Sequence, residues 1–229
     1  MLQQTQVDRV IPKYKSFIRK FGTVQSLATA SLGEVLREWQ GLGYNRRAKM
    51  LHEAAKAIVT SYGGKVPRTY DVLVSLPGIG DYTAKAVRVF AWNEPEVLVE
   101  TNVRSVFLHH FFSNKTAVSD KKLLPYIEVA LDEKNPREWY SALMDYGSYL
   151  KKTISNPSRK SEHHTKQKSF KGSDREVRGA ILRVLILHAK STSVLLKELN
   201  FPQDKIKRQI TALRKEGLIV IRKNKVQLP

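Results

Sequence analysis

The stretch LPGIGDYTAKAV, Leu76 to Val87, constrains this chain more than any other part of it. One apolar helical pattern runs into Pro77-Gly78-Ile79-Gly80 and a second leaves at Asp81. Two glycines let the backbone turn tightly and approach a ligand closely, while the following helix start presents unpaired N–H groups. Such a turn can merely join two helices. It can also hold a phosphate through main-chain amides, a grip that carries no sequence information.

Both uses require helices on either side, and residues 1–150 read as helices throughout. Leu2, Val7, Val10, Ile11, Tyr14, Phe17, Ile18 and Phe21 recur at three- and four-residue spacing, predicting an amphipathic helix from Met1 to near Gly22. No Ser, Thr, Asp or Asn precedes it as a cap, so the helix is expected to begin upstream of Met1. Further helices are expected over 24–28, 31–40, 46–62, 70–74, 81–90, 103–111, 123–131 and 136–150, broken at Gly41, Gly43, Gly63–Gly64 and Pro67. No alternating strand pattern of useful length occurs, and the fold class is all-α.

Charge divides the chain. Residues 1–150 carry 20 Lys/Arg against 15 Asp/Glu, a net of +5, whereas residues 151–229 carry 20 against 6, a net of +14. So large an excess most often meets a polyanion, nucleic acid before membrane. A run of eighteen apolar residues is absent, which argues against a spanning helix. The join reads KKTISNPSRKSEHHTKQKSFKGS, nearly free of aliphatics. The expected organisation is a helical domain over 1–150, a basic linker over 151–173 and a small domain over 174–229. His163 and His164 in the linker lack companions for a metal site and read as solvated cations or phosphate contacts, so no metal is expected.

In the tail, helices over 175–189, 194–199 and 204–216 precede two strands, 218–222 and 225–228, about a Lys223–Asn224 turn. Three helices and a hairpin in that order make a winged helix-turn-helix, with 204–216 as the recognition helix exposing Lys205, Lys207, Arg208, Gln209, Arg214 and Lys215. The alternative is a small packing domain with solvated charges.

Seventeen residues past Gly80 begins VLVETNVRSVF, Val97 to Phe107. Glu100 ends an apolar run just before a helix, with Thr101 and Asn102 beside it. Locally it reads as a capping carboxylate. Beside a DNA-gripping turn, a fixed anion has a second use, because breaking an N-glycosidic bond develops positive charge on the sugar.

Five segments, MLQQTQVDRVIP (1–12), WQGLGYNRRAKML (39–51), LPGIGDYTAKAV, VETNVRSV and ALMDYGSYL (142–150), resemble in order and spacing the A/G-specific adenine DNA glycosylases. These belong to the helix-hairpin-helix base-excision superfamily, together with endonuclease III and the thymine mismatch glycosylases. The resemblance implies a six-helix barrel plus a second helical lobe, with double-stranded DNA between them and the target base flipped out. It places Gln3 and Gln4 at the gap left by the flipped base, Tyr44 as a wedge beside the opposite base, and the amides of Gly78, Ile79 and Gly80 on a phosphate. Further DNA contacts are implied for Thr5, Leu42, Arg46, Thr83 and Lys85, and the tail adds Lys205 and Arg208. Glu100 stands where the family has its catalytic Asp, and Asn102 matches a supporting Asn. Tyr82 occupies the position of the lyase-active enzymes' nucleophilic Lys, which implies a monofunctional glycosylase that stops at the abasic site, without lyase chemistry.

Three departures follow. The four cysteines that usually bind an iron–sulfur cluster are missing, as the chain has no cysteine at all, so no cofactor is expected. A domain for reading oxidised guanine is replaced by the basic tail. The family's general-acid Glu lies just before MLQQTQ, outside this chain, so weak adenine excision is expected. The expected function is a mismatch glycosylase, removing adenine opposite guanine or 8-oxoguanine; the alternatives are a thymine or uracil mismatch enzyme, or a catalytically weak DNA-binding protein on the same scaffold. A cytoplasmic, nucleoid-associated monomer with no membrane contact fits the composition.

Overall fold

The first helix starts later than its periodicity suggests. In the computed structural model, which describes residues 1–154, 156–162, 164–165 and 169–229, α1 spans Val7–Lys20 and has no side-chain cap. Gln4 sits in the left-handed region at φ 55°, and the carbonyls of Met1 and Gln3 accept from the Arg47 guanidinium at 3.0 and 2.6 Å. With those acceptors held by a side chain, the segment forms a turn. The apolar stripe also splits: Val10 and Phe17 are buried, whereas Val7, Ile11, Tyr14 and Ile18 are exposed.

Several of the remaining helices start where a side chain serves an orphan N–H group. α2 (Val24–Thr29) and α3 (Leu32–Trp39) open on reciprocal capping boxes, Thr23 with Ser26 and Ser31 with Glu34. They are followed by α4 (Arg46–Tyr62), α5 (Tyr70–Ser75), α6 (Asp81–Trp92), α7 (Thr101–Phe111), α8 (Asp120–Ala130) and α9 (Pro136–Thr153). A 3₁₀ turn at Pro157–Lys160 precedes α10 (Asp174–Leu187), α11 (Thr192–Glu198) and α12 (Gln203–Lys215). The chain closes with β1 (Val220–Arg222) antiparallel to β2 (Lys225–Gln227), Ile221 opposite Val226. Lys223 and Asn224, at φ 46° and 57°, form the two-residue turn whose twist suits a hairpin. Among the described residues the molecule is mostly helical, and no helix is long and apolar enough to cross a membrane.

Two compact units result: Met1–Pro67, Leu76–Gly78 and Lys168–Pro229 form one, and Arg68–Ser75 with Ile79–Gln167 the other. This grouping differs from a division at residues 150 and 174, because the tail shares a core with the first helices. Phe17, Phe21, Val35, Leu36 and Trp39 belong to the same buried cluster as Ile181, Leu185, Ile206, Leu213 and Leu218. Main-chain contacts accompany the packing: the Gly33 amide donates to the Pro229 carbonyl at 3.2 Å, and Arg37 reaches the Ile186 carbonyl at 3.4 Å. On the tail's third helix Gln209 is buried, not exposed as the recognition-helix pattern had it.

The second unit is built on α7. Val103, Val106, Phe107 and Leu108 pack with Leu123, Ile127, Tyr140 and Leu150, and the Tyr140 hydroxyl accepts from the Leu98 amide at 3.0 Å while donating to the Glu96 carbonyl at 2.8 Å. The described part of 151–173 also contributes. Lys151–Thr153 continue α9, Ser158 is buried with its hydroxyl 2.6 Å from that of Ser105, and Ser161 bridges to Val118. Small polar residues that cannot form a core of their own still dock on one, provided their hydroxyls find partners.

Because Leu213 is fully buried in the cluster that joins the tail to α1 and α3, Leu213→Ala should cost about 2–5 kcal/mol of stability. Urea unfolding followed by far-UV circular dichroism should show a midpoint well below that of the parent; an unchanged midpoint would mean that the tail does not share this core.

Candidate functional site

The α7 start gathers the candidate catalytic side chains. Glu100, at φ −103° and ψ 162°, is the N-cap of α7, and its Oε2 accepts from the Asn102 amide at 2.5 Å. A carboxylate here is favoured twice over, by the orphan N–H group and by the positive end of the helix dipole. Asn102 is held in turn: its Oδ1 accepts from Lys151 Nζ, on α9, at 2.8 Å. Lysine has donors only, so this bond fixes which end of the amide is which and leaves Nδ2 turned away from Lys151. The two helices come close because residue 147 is glycine; a Cβ there would lie 2.3 Å from the Asn102 carbonyl oxygen. Arg104, one turn along α7, is neutralised by Asp120 through two 2.7 Å bonds.

Burial tunes the neighbours of Glu100. It pushes the Tyr82 hydroxyl up to about 12, with the Glu100 carboxylate adding to the effect, so Tyr82 is a neutral phenol at any physiological pH. Burial also lowers the Lys151 ammonium; Arg104 acts in the same direction and Glu100 opposes both. Glu100, Asn102, Tyr82 and Lys151 thus form one electrostatic group. Lys151 was missed in the sequence, where it reads as the first cation of a basic run. The signal available was its position at the end of the ALMDYGSYL helix, one residue past buried Leu150.

Lys85 does not join this group. It pairs with Asp81 at 3.0 Å and lies 6.0 Å from the Tyr70 ring centroid. Asp81 also accepts from the Tyr70 hydroxyl at 2.7 Å; this bond, then Lys85, holds its carboxyl below the ordinary range. Thr83 is half-buried on the same helix, and Ile79 and Gly80 precede it, half-buried and exposed respectively.

In the other unit, a second missed residue organises the candidate DNA contacts. Arg47 reaches Thr5 Oγ1 at 3.0 Å and the Leu42 and Gly43 carbonyls at 3.3 Å, besides the Met1 and Gln3 carbonyls. Its guanidinium lies 5.4 Å from the Trp39 centroid and 5.6 Å from that of Tyr44, and burial lowers its pKa. One side chain therefore ties the 1–5 turn to the 41–44 loop. Gln3 and Gln4 are exposed on that turn, and Tyr44 on the loop at φ 47°. Leu42 is 2% exposed, so only its carbonyl faces the loop network while its side chain sits in the core. Arg46 is exposed at the start of α4. Gly78 has φ +75° and abuts Met50, where a Cβ would come within 2.4 Å of the Met50 Cβ; the position needs glycine on both counts. In the tail, Lys205 is bound to the Gly172 carbonyl and lies 3.5 Å from Asp174. Arg208 is exposed, 3.4 Å from Asp204.

Without cysteine the chain offers no thiolate set for an iron–sulfur cluster, and among the described residues no three His, Asp or Glu side chains gather as metal ligands. His163 lies outside the described residues. His164 is exposed, its amide bonded to the Ser161 carbonyl.

Residues 1–130 match the HhH-GPD superfamily base excision DNA repair protein family, and the chain belongs to that superfamily. Among its relatives, the adenine DNA glycosylase of Mycolicibacterium smegmatis is 42% identical over 149 residues, 65% of this chain and 51% of that protein. That of Mycobacterium tuberculosis is 35% identical over 216 residues, 81% of this chain and 67% of its own length. That of Homo sapiens is 37% identical over 164 residues, but this chain spans only 29% of it. Of solved structures, a thermostable thymine-DNA glycosylase superposes with TM-score 0.55 at 25% identity, covering 64% of this chain and 69% of that one. A non-covalent endonuclease III–DNA complex gives 0.50 at 22%, covering 74% and 72%, a likeness of fold.

Two outcomes test the geometry. Gly147→Ala should push α9 from α7 and lower stability by about 1–3 kcal/mol, whereas Gly80→Ala, with open space around its Cβ, should leave the melting temperature nearly unchanged. Lys151 titrates below its ordinary 10.5 when folded, so between the two values the unfolded chain binds more protons and stability rises with pH. Urea titrations across that window should show the rise in the parent and lose that component in Lys151→Met.

Proposed function

We propose that the protein is a monofunctional DNA glycosylase of the adenine type, hydrolysing the bond between deoxyribose C1′ and a mispaired base in double-stranded DNA. Adenine opposite guanine or 8-oxoguanine is the proposed target, in keeping with relatives named adenine DNA glycosylase. The observation that carries the reading is Glu100, a carboxylate held by the Asn102 amide at the α7 start beside a neutral, half-buried Tyr82.

As the C1′–N bond lengthens, its electron pair moves to the base and positive charge collects on the sugar. Glu100 faces that charge as a preorganised anion, so nothing need reorganise at the moment of reaction. One water is consumed: its hydroxyl goes to C1′ and its proton balance is carried to the departing base. Asn102, pinned through Oδ1, keeps its Nδ2 donor for the substrate. Tyr82 offers no amine, so its position supplies no imine and the reaction ends at the abasic site. The tail has the element order of a winged helix-turn-helix, and we assign it contacts to the DNA backbone.

Glu100→Gln keeps the size of the cap while removing the charge. Single-turnover excision on A·G, A·8-oxoguanine, T·G and U·G duplexes, developed with alkali, should fall by about 10²–10³ or more, with binding to the mismatch retained. Tyr82→Phe should keep most of the parent rate. Full activity in Glu100→Gln would reduce Glu100 to a helix cap.

A further inference from the structure

The first turn of α4 and the C-terminal end of α12 line a pocket of about 320 Å³, with Arg46, Lys49, Met50, Lys215 and Glu216 as its walls. Three of the five are cations. The single carboxylate is already neutralised, since Arg178 donates to both Glu216 oxygens at 2.8 and 2.6 Å. Lys49 Nζ donates to the Glu216 carbonyl at 2.6 Å and so caps the negative end of α12. Gly217 makes room for it: at φ +69°, a Cβ there would lie 2.7 Å from that Nζ.

Arg46 and Lys215 remain. Both are exposed, and neither has a hydrogen-bond or ion-pair partner among the described residues. Arg46 is also the first residue of the 17-residue α4, whose Asn45 cap makes no side-chain bond, so the positive end of a long helix dipole adds to the local potential. Arg46, Lys49 and Met50 fall on one face of that turn by their three- and four-residue spacing. The pocket is thus a site of surplus positive charge, with room for a tetrahedral oxyanion and two free donors to meet it.

Met50 identifies the source of that anion, because the same side chain that lines the pocket packs directly on Gly78 of the glycine turn. We propose that the Arg46–Lys49–Lys215 pocket seats one phosphate of the DNA strand held at Gly78, joining the C-terminal segment to the backbone grip. The inference rests on the DNA-binding reading above and adds to it a seat built from both ends of the chain. It makes affinity depend on α12 without any reading of sequence by that helix.

The test uses the full chain and its Arg46→Gln/Lys215→Gln double variant, with Lys197→Gln, an exposed charge on α11, as the comparison. Both substitution sites of the double variant are exposed, so folding should survive, and circular dichroism checks it. Fluorescence anisotropy on labelled duplexes, one matched and one with an A·G mismatch, is followed as KCl is raised. Loss of one phosphate seat should flatten the slope of log K against log[KCl] by about 0.9, equally for both duplexes, and Lys197→Gln should change it less. An unchanged slope in the double variant overturns the pocket while leaving the DNA-binding reading intact, as does an equal loss from Lys197→Gln. Failure of the parent chain to bind either duplex overturns both.

Discussion

The candidate catalytic group exists because α9 can lie almost in contact with the main chain at the start of α7. Only a residue without a Cβ allows that approach at position 147. Once it is made, Lys151 arrives one turn further along α9 at hydrogen-bonding distance from Asn102. Asn102 then presents a fixed amide, and its own N–H holds Glu100. The chain of dependence runs from a packing constraint to an amide orientation to a carboxylate, and each link is short enough to tolerate little slack.

Glu100 is both cap and candidate catalyst, and the two roles reinforce each other. A capping carboxylate is preorganised by definition, since the helix start fixes its position whether or not substrate is present. The cost is that part of its charge is already satisfied by an N–H group, which makes the remaining neighbours decisive. Tyr82 stays neutral, Arg104 is neutralised by Asp120, and Lys151 is the one cation of the group whose bonded partner is a neutral amide. The local balance therefore depends on how strongly burial disfavours the Lys151 charge, a quantity governed by the same α7–α9 contact.

A comparable economy holds in the other unit. Arg47 supplies through one guanidinium what two loops would otherwise need from water or from each other, satisfying carbonyls at Met1, Gln3, Leu42 and Gly43. Its planar fork suits that many acceptors, which a lysine could not match. The same unit draws its core from both ends of the sequence, so the strongly basic tail is part of the scaffold that carries the candidate DNA-contacting loops. Charge composition marked the tail as a separate object, but its apolar residues have their partners in α1 and α3.

Local rules determined much on their own. Periodicity located every helix from α2 to α12 to within a few residues, serine and threonine caps set several starts, and Asn224 marked the hairpin turn, because these signals involve residues no more than four apart. The glycine turn and the place of Glu100 as a helix cap were legible for the same reason. What tertiary structure decided was everything resting on distant pairs: the buried face of α1, the unwound 1–6 segment, the burial of Leu42 and Gln209, and the bond between Asn102 and Lys151, 49 residues apart in sequence. Helical spacing names a stripe but not its partner, and a lysine in a basic run carries no mark of the amide it will meet. Those choices are made by close packing between segments, which one-dimensional periodicity does not encode.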